Sequence, residues 1–561
     1  MNKLIECVPN FSEGNDMNII KQITNEIESV EGVKLLNVDP GKATNRTVVT
    51  FVGTPEAVIE AAFMAIKKAS ELIDMRKHKG EHPRMGATDV CPLIPIAGIT
   101  MEETAEYAKE LGARVGKELS IAVYLYEAAQ SNKNRSNLSV IRAGEYEGFF
   151  KKINLSEWKP DYGPSEHSLK AGSTVIGARD FLVAYNINLN TTSTRRANSI
   201  AFDVREAGRV KREGNAVTGK IVTDEKGTPV NIPGTLKSVK AIGWFIEEYG
   251  IAQISMNLTN INITPVHIAF DEVCKKANER GIRVTGSELV GLVPLKSMID
   301  SGKYFLEKQS RSTGVSEKEL IKIAVKSLGL DELAPFKPEE RIIEYLLKDN
   351  SKAPLIALNL NEFADETASE SPAPGGGSIS AYIGVLGISL GTMVANLSSH
   401  KPGWDERWKE FSDWAENGQH FKNELMKLVD EDTNAFNKIM TAFGMPKSTD
   451  EEKIARTNSI QEATKYATEV PFKVMQLCYD SMEVIKAMVE VGNPNSVTDA
   501  GVGALCARSA VMGAFLNVKI NASGLTDKEF AMKLISEGNV LEDKAKVLET
   551  EILAMVNGKI K

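Results

Sequence analysis

The chain has 561 residues, of which 42% are hydrophobic and 25% charged, and its formal net charge is −8. That balance excludes a disordered, collagenous or disulfide-scaffold protein, and the length leaves room for about three or four domains at roughly 100–200 residues each. The acidic charge argues against a nucleic-acid partner, which normally meets a basic patch. Five cysteines are present, Cys7, Cys91, Cys274, Cys478 and Cys506, with no CxxC pair. An odd, dispersed set fits a reducing, cytoplasmic setting better than a disulfide framework or a Cys-based zinc site. The opening MNKLIECVPNFSEG lacks the apolar h-region of a secretory signal.

Residues 3–8 read as a strand and 16–30 as an amphipathic helix. Two strands follow at 33–38 and 47–53, flanking the loop DPGKATNR. A helix at 54–73 opens with Thr54 as N-cap, Pro55 at the first helical position and Glu56 toward the dipole. A strand near 91–96, a helix at 100–118, a strand at 120–126 and a helix at 140–153 complete the first pass. The order β-α-β-β-α-β predicts a ferredoxin-like split βαβ unit. A second pass of the same order begins near residue 179 with RDFLVAYNINLN and ends with IRVTGSELVGLV. Residues 213–235, rich in Gly and Pro with alternating Val and Ile, predict an inserted hairpin.

After about residue 330 the pattern changes. LAPFKPEERIIEYLLKDNSKAPL is a charged, Pro-punctuated connector. Helical runs follow at 376–399, 404–442, 450–490, 497–520 and 526–556, which predict an all-α bundle. The expected organisation is an α+β half of two subdomains (1–180 and 181–330), a linker (331–352) and a helical bundle (353–561). The uncharged stretch 371–399 imitates a membrane span. Its polar interruptions, and Gly384, Gly387 and Gly391 on one helical face, favour a bundle helix packed closely on a neighbour, with no membrane partner.

The most unusual segment is MRKHKGEHPRMGATD (75–89). His78 and His82 lie there among Arg76, Lys77, Lys79 and Arg84. The string H-x-x-E-H matches a zinc-protease pattern, but Gly80 and Pro83 break the helix that such a site needs, so no metal is expected. A histidine beside cations is lowered in pKa and suited to general-base work, and the cations suit a substrate carboxylate. In NVDPGKATNRTVV (37–49), Asp39 follows a strand. Either turn chemistry or the orienting of a catalytic histidine explains it. DYGPSEHSLKAGST (161–174) is a connector between subdomains, where ligands often bind.

In the helical half, Gly375, Gly376 and Gly377 precede the uncharged helix. Their N–H groups could hold an anion, or form only a flexible helix start. FKNELMKLVDEDTNAFNKIM (421–440) carries an apolar stripe of Phe421, Leu425, Leu428, Ala435/Phe436 and Ile439, interrupted by Asp432. Asp430 and Glu431 read as solvated neighbours. A carboxylate on a buried face is costly unless paired or protonated, so Asp432 is either a paired structural residue or an acid–base group. Ser496 and Asp499 have capping-box spacing. Asn517 and Asn521 lie one turn apart and could share the bundle interior.

On these residues the chain resembles the formimidoyltransferase-cyclodeaminases, bifunctional folate enzymes of histidine degradation. LIECVPNFSEGN, LIDMRKHKGEHPRMGA, IRAGEYE, YNINL, GSELVGLVPLK and the ERIIEYL segment resemble the transferase half. APGGGS, LVDED-like 428–432, SVTDAG and NVKIN resemble the cyclodeaminase half. The resemblance implies transfer of the formimino group of N-formimino-L-glutamate to N5 of tetrahydrofolate. Closure to 5,10-methenyltetrahydrofolate with loss of ammonia follows. It implies His82 as transferase base, with Asp39 and Arg84 supporting, and Asp432 as the cyclodeaminase acid–base group. Folate binding maps to Gly163, Pro164, Ser165, Glu166, His167, Ser168, Leu169, Lys170, Ala171 and Gly172. Gly375–Gly377 and Asp499 map to the second site. Tetrahydrofolate, polyglutamated, is the implied co-substrate, no metal is implied, and a homo-oligomer built from dimers is. Three rivals stand beside this reading: a bundle acting as methenyltetrahydrofolate cyclohydrolase, a non-catalytic dimerisation bundle, and a formyl rather than formimino donor.

Overall fold

In the computed structural model, which describes residues 3–41, 44–80, 83–214, 218–347 and 355–560, the first half of the chain builds two main sheets. The first contains Leu4–Cys7 (β1), Asn10–Phe11 (β2), Val33–Gly41 (β3), Arg46–Gly53 (β4), Thr88–Ala97 (β5), Ala122–Glu127 (β6) and Ser173–Ala178 (β7). β1 and β2 both lie between β4 and β5, and β3 pairs with β4 on its other edge, all antiparallel. β7 then adds parallel to β5, and β6 parallel to β7. Helices Met17–Glu28, Pro55–Leu72 and Met101–Glu118 bury their apolar faces in the core of this sheet. The first of these helices starts where the Asp16 side chain accepts the Asn18 N–H at 2.9 Å, relieving orphan donors of the first turn.

The second sheet joins Val183–Leu189 (β8), Val239–Ile246 (β9), Ile251–Leu258 (β10) and Val284–Val290 (β11) in the order β9-β10-β8-β11, all antiparallel. Helices Thr194–Val204 and Val266–Asn278 follow its first and third strands. Counted along the chain, the order second-third-first-fourth matches β3-β4-β1/β2-β5 of the first sheet. A two-stranded pairing joins Arg209–Val210, just before the expected insertion, to Asn231–Ile232 within it; residues 215–217 lie outside the described residues.

Local details differ from expectation for physical reasons. The helix expected at 140–153 is two, Leu138–Arg142 and Glu145–Lys152, because Gly144 takes φ +95° between them, a conformation that glycine tolerates. Thr54 holds the N-cap position of its helix, but its side chain makes no capping bond. Asp39 does not follow the strand: β3 continues through it to Gly41, in register with β4.

The helical half consists of Gly376–Ser399, Trp408–Phe443, Asp450–Val491, Val497–Ser523 and Lys528–Lys559, preceded by Leu360–Ala368. The glycine face expected on the first of these is real. A methyl group on Gly384 would lie 2.4 Å from Cys478 Sγ, and one on Gly387 2.9 Å from Gly503 O. That helix and the Val497–Ser523 helix are long and apolar enough to cross a membrane, and both contribute many residues to the bundle core.

Contacts group Met1–Ser297 with Leu328–Lys348 in one unit and Met298–Ser327 with Asp349–Lys561 in the other. The charged connector is packed in its first part. Val293 N–H donates to Arg341 O at 2.9 Å, and Ile342 and Ile343 are fully buried. In the helical unit, Thr313 N–H donates to Ser412 Oγ at 3.0 Å, Asn396 Nδ2 to Gly314 O at 2.9 Å, and Lys303 pairs with Glu416 at 3.0 Å.

Candidate active sites

The cationic loop is stitched to two other motifs. Met75 N–H donates to Lys170 O at 2.9 Å, and Ala87 N–H to Ala171 O at 2.8 Å. The segment 163–172 therefore lies directly against the loop at both of the loop's ends. Asn45 makes the second connection. Its Nδ2 donates to Lys79 O at 2.9 Å, while its Oδ1 accepts the Gly14 N–H at 3.0 Å. Gly80 lets the two loops approach: a Cβ there would lie 2.2 Å from Thr44 O.

His78 is fixed within this arrangement. Arg84 Nε lies 3.3 Å from His78 Nδ1, and His78 Nε2 lies 2.8 Å from Asn45 O. Arginine only donates, so Nδ1 accepts, and Nε2 carries the proton that goes to the carbonyl. Both ring nitrogens are thus engaged. Arg84 is buried and held by Glu145 at 3.0 Å and by Glu147 at 2.7 Å. Arg76 is forked onto Asp74 at 2.8 and 2.7 Å, which holds the Asp74 carboxyl down at about 2. Two of the loop's cations are thus already paired within the chain. Lys77 and Lys79 are exposed, with no ion-pair partner among the described residues. His82 and Glu81 lie outside the described residues. Asp39 is exposed and makes no side-chain hydrogen bond among the described residues.

Gly163 and Gly172 both take positive φ, +81° and +70°, with Ile121 O and Met85 O where a Cβ would go. Between them, Tyr146 O–H donates to Leu169 O at 2.6 Å and Lys170 Nζ to Glu71 O at 2.5 Å. His167 is buried among Tyr146, Phe149 and Phe150, with Nδ1 2.7 Å from Ser173 Oγ. Burial pushes its pKa down to about 4. Ser165, Glu166, Leu169 and Lys170 are exposed, whereas Pro164 and Ser168 are half-buried and Ala171 is buried. Beneath the loop, fully buried Asp89 pairs with Arg142 at 2.7 Å and Arg46 at 3.9 Å and accepts the Met85 N–H at 3.0 Å. Burial lowers the Arg46 pKa to about 10. Sequence reading missed the pairings of Arg84 with Glu145 and Glu147 and of Asp89 with Arg142. The one signal available was the pair of acids in GEYE, which local pattern cannot match to a cation.

In the bundle, three of the expected motifs meet. Asp432 Oδ2 accepts the backbone N–H of Ser378 at 2.8 Å. Gly377 leaves it room, since a Cβ there would stand 2.1 Å from Asp432 Oδ1. Asn517 is the neighbour of Gly376, with Nδ2 3.1 Å from the Cβ position, and Asn521 Nδ2 donates to Ala467 O at 2.6 Å. Burial raises the Asp432 pKa, while its bonds to Ser378 act against the shift. The anion held at the start of this helix is therefore the chain's own carboxylate.

The expected stripe of the Trp408–Phe443 helix is largely present: Leu425 and Ala435 are buried, and Phe421, Leu428 and Ile439 pack partly buried against the core. Phe436 departs from it and is exposed, while Val429 is buried. Asp430 and Glu431 are not free surface groups: Asp430 accepts the Leu355 N–H at 2.7 Å, and Glu431 accepts from Tyr466 O–H. No capping box forms at Ser496, whose side chain makes no cap bond because a 3-10 turn, Pro494–Ser496, leads into the helix. Asp499 lies at the opposite end of that helix from Asn517, about 27 Å away at 1.5 Å per residue.

Three family models cover this geometry in order: the formiminotransferase domain's N-terminal subdomain at residues 4–179, the formiminotransferase domain at 184–348 and formiminotransferase-cyclodeaminase at 359–539. The chain is 40% identical over 560 residues to the formimidoyltransferase-cyclodeaminase of Rattus norvegicus, covering 100% of both. The chain belongs to the formimidoyltransferase-cyclodeaminase family. The family's transferase half falls on the two sheets and its cyclodeaminase half on the bundle. The halves also have separate relatives. A glutamate formimidoyltransferase of Thermoplasma acidophilum is 41% identical over 324 residues, 57% of this chain and 98% of the relative. A methenyltetrahydrofolate cyclohydrolase of Methylorubrum extorquens is 37% identical over 201 residues, 36% of this chain and 97% of the relative. Among the described residues, no cluster of side chains suits a metal ion.

Proposed function

We propose that the chain moves the formimino group of N-formimino-L-glutamate to N5 of tetrahydrofolate and then closes the product to 5,10-methenyltetrahydrofolate, releasing ammonia. The observation that carries the reading is the stitching of segment 163–172 to both ends of the 75–89 loop. It joins the candidate folate segment to the described ends of the loop in whose sequence the candidate base lies. In the first step N5 attacks the amidine carbon, and its proton must leave as the bond forms. His82 takes that proton and returns it to the departing glutamate nitrogen. His78 supports this assignment by being locked in one tautomer. Lys77 and Lys79 are the cations available for the donor's carboxylates, and Arg84 positions His78. Asp39 is assigned a supporting place on the strength of the resemblance.

In the second step N10 attacks the same carbon, and ammonia leaves once protonated. Asp432 supplies the proton. Its raised pKa supports that role, since burial favours the protonated form that can donate. Gly375–Gly377 shape this site, and Asp499, at the far end of its helix, is the weakest member of the set.

The two sheets are read as ferredoxin-like units, and the co-substrate as polyglutamated tetrahydrofolate. A cytoplasmic homo-oligomer built from dimers completes the reading. Self-association is supported by exposed apolar residues at coiled-coil spacing: Leu386, Met393 and Leu397 on one bundle helix, and Val502, Leu505 and Leu516 on the next. The likeness of the bundle to a methenyltetrahydrofolate cyclohydrolase favours a second reading, in which it only hydrolyses. A coupled assay with formiminoglutamate and tetrahydrofolate decides, with methenyl absorbance and ammonia followed together. No ammonia from added formiminotetrahydrofolate, together with hydrolysis of added methenyltetrahydrofolate, would exclude cyclodeamination. Absence of transfer would exclude the first step.

A further inference from the structure

The helix Thr194–Val204 and the hairpin after it enclose a cavity of about 440 Å³ lined by Arg195, Ser199, Phe202, Arg205, Arg209 and Arg212 among others. None of its lining residues is acidic. Four guanidinium groups converging on one open space repel one another, so the charge around them decides what the cavity can hold.

The nearby carboxylates are already engaged. Asp203 is shared by Arg209 and by Arg280, so a single negative charge faces two positive ones. Glu206 accepts the Ser238 N–H at 2.7 Å and lies 3.8 Å from Lys237. The remaining three arginines of the cavity have no carboxylate partner among the described residues. Arg205 Nε donates to Gly208 O at 2.9 Å, and its guanidinium lies over the Phe202 ring at 4.1 Å. Arg212 Nη1 donates to Gly219 O at 2.8 Å. Arg195 is exposed at the helix's first turn.

These contacts orient without neutralising. A backbone carbonyl fixes one edge of each of Arg205 and Arg212 and leaves the other N–H donors available. That free edge is the fork that grips carboxylate or phosphate oxygens bidentately. Burial lowers the Arg205 pKa, and no acid offsets the desolvation. The volume lies in the range of small-molecule sites. The hairpin contributes Arg209 and Arg212, and the helix contributes Arg195 and, just past its end, Arg205. Neither element alone makes the site.

We propose that this cavity binds a small polyanion bearing at least two oxyanion groups, a phosphate ester or an oligocarboxylate, at a site separate from the 75–89 loop. The test is isothermal titration calorimetry on the full-length chain with two probes, inorganic pyrophosphate and citrate, at low and high salt. Binding of at least one probe is expected, weakening as salt rises and falling by about tenfold or more in Arg205→Gln/Arg212→Gln, since each charge-assisted fork is lost. Pyrophosphate alone would point to phosphate esters, and citrate alone to oligocarboxylates. Should the double variant lose its helical circular dichroism, the exposed Arg195→Gln change combined with Arg212→Gln carries the comparison instead. No heat with either probe at millimolar concentration, or equal binding by a folded variant, would overturn the proposal.

Discussion

The Asp432 carboxylate caps the first turn of a helix to which it does not belong: its Oδ2 accepts the Ser378 N–H at 2.8 Å. Ser378 O–H is turned mainly to Val429 O, at 2.8 Å, against 3.2 Å to the carboxylate. The backbone N–H is therefore the bond that holds Asp432 in place, and chemistry and stability compete at this one side chain.

Asp432→Asn keeps an oxygen that accepts the Ser378 N–H but loses the acid. Its melting temperature should stay near that of the parent, while ammonia release falls by about 10²–10⁴-fold. Asp432→Leu loses the cap and leaves the N–H unpaired, so it should cost about 1–2 kcal/mol as well as activity. Thermal melts paired with a cyclodeaminase assay check both. Turnover retained in the Asn variant would exclude a carboxyl proton donor. Transferase rates should be unchanged in both.

Gly377→Ala reaches the same site from the other side. The new methyl would stand 2.1 Å from Asp432 Oδ1, so the carboxylate has to move. Cyclodeamination should drop with formimidoyl transfer intact. A Gly377→Ala protein with normal ammonia release would mean that the position of Asp432 is not critical.

The two histidines of the cationic loop should separate cleanly. His82→Ala is expected to lower transferase kcat/KM by about 10²–10⁴-fold while the bundle still deaminates added formiminotetrahydrofolate. His78→Gln, which removes a positioning group bonded to Arg84 and Asn45, should cost less. Steady-state kinetics on both variants measure this. A His82→Ala enzyme that keeps most of its transfer rate would move the base elsewhere.

These sites were unevenly legible in the sequence. Long runs without strand or turn signals placed the five long helices within a few residues, and of these Trp408–Phe443 has the clearest apolar face. Asp432 stood out against that face. The position of Phe436 did not follow, since a 36-residue helix contacts different neighbours along its course and its buried face drifts. The break at Gly144 was hidden by helix-forming residues on both sides. Partners such as Ser378 for Asp432 and Glu147 for Arg84 are brought together only by tertiary packing, which local periodicity does not encode. The grouping of residues 298–327 with the bundle is of that kind too: their amphipathic pattern shows that a face is buried, not against what.

His167 predicts a pH dependence. Its pKa is about 4 in the fold against an ordinary 6.5, so the folded state refuses a proton that the unfolded chain accepts. The associated stability is fully present above pH 6.5 and is lost as pH falls through 4. The difference, 6.5 − 4, corresponds to about 3 kcal/mol at about 1.4 kcal/mol per unit. His167→Phe should preserve the ring cluster and give up the bond to Ser173, costing about 1 kcal/mol near neutrality. It should also flatten the loss of stability between pH 6.5 and 4. Urea unfolding of parent and variant at pH 7.5 and 4.5 tests this, and an equal acid loss in both would show that other groups control the slope.

The last prediction concerns where the chain can be divided. A fragment of residues 355–561 contains the five long helices but lacks residues 298–327, which pack in the same unit. Removing them leaves Ser412 Oγ, Asn396 Nδ2 and Glu416 without the partners Thr313, Gly314 and Lys303. It also uncovers Ala415, which Gly314 approaches so closely that a Cβ on the glycine would lie 2.3 Å from it. Each lost hydrogen bond costs about 1 kcal/mol, more where a buried group is left unpaired. The fragment 298–561 should therefore be more stable than 355–561 by about 2–4 kcal/mol, on the sum of those bonds. Urea unfolding of the two fragments measures the difference. Cyclodeaminase activity should follow stability in both, because Asp432, Ser378 and Asn517 are present in each. Equal stability would mean that residues 298–327 are carried by the bundle without supporting it. The transferase fragment 1–297 should in turn be less stable than 1–347, because only the longer one contains Ile342 and Ile343, both fully buried in the first unit.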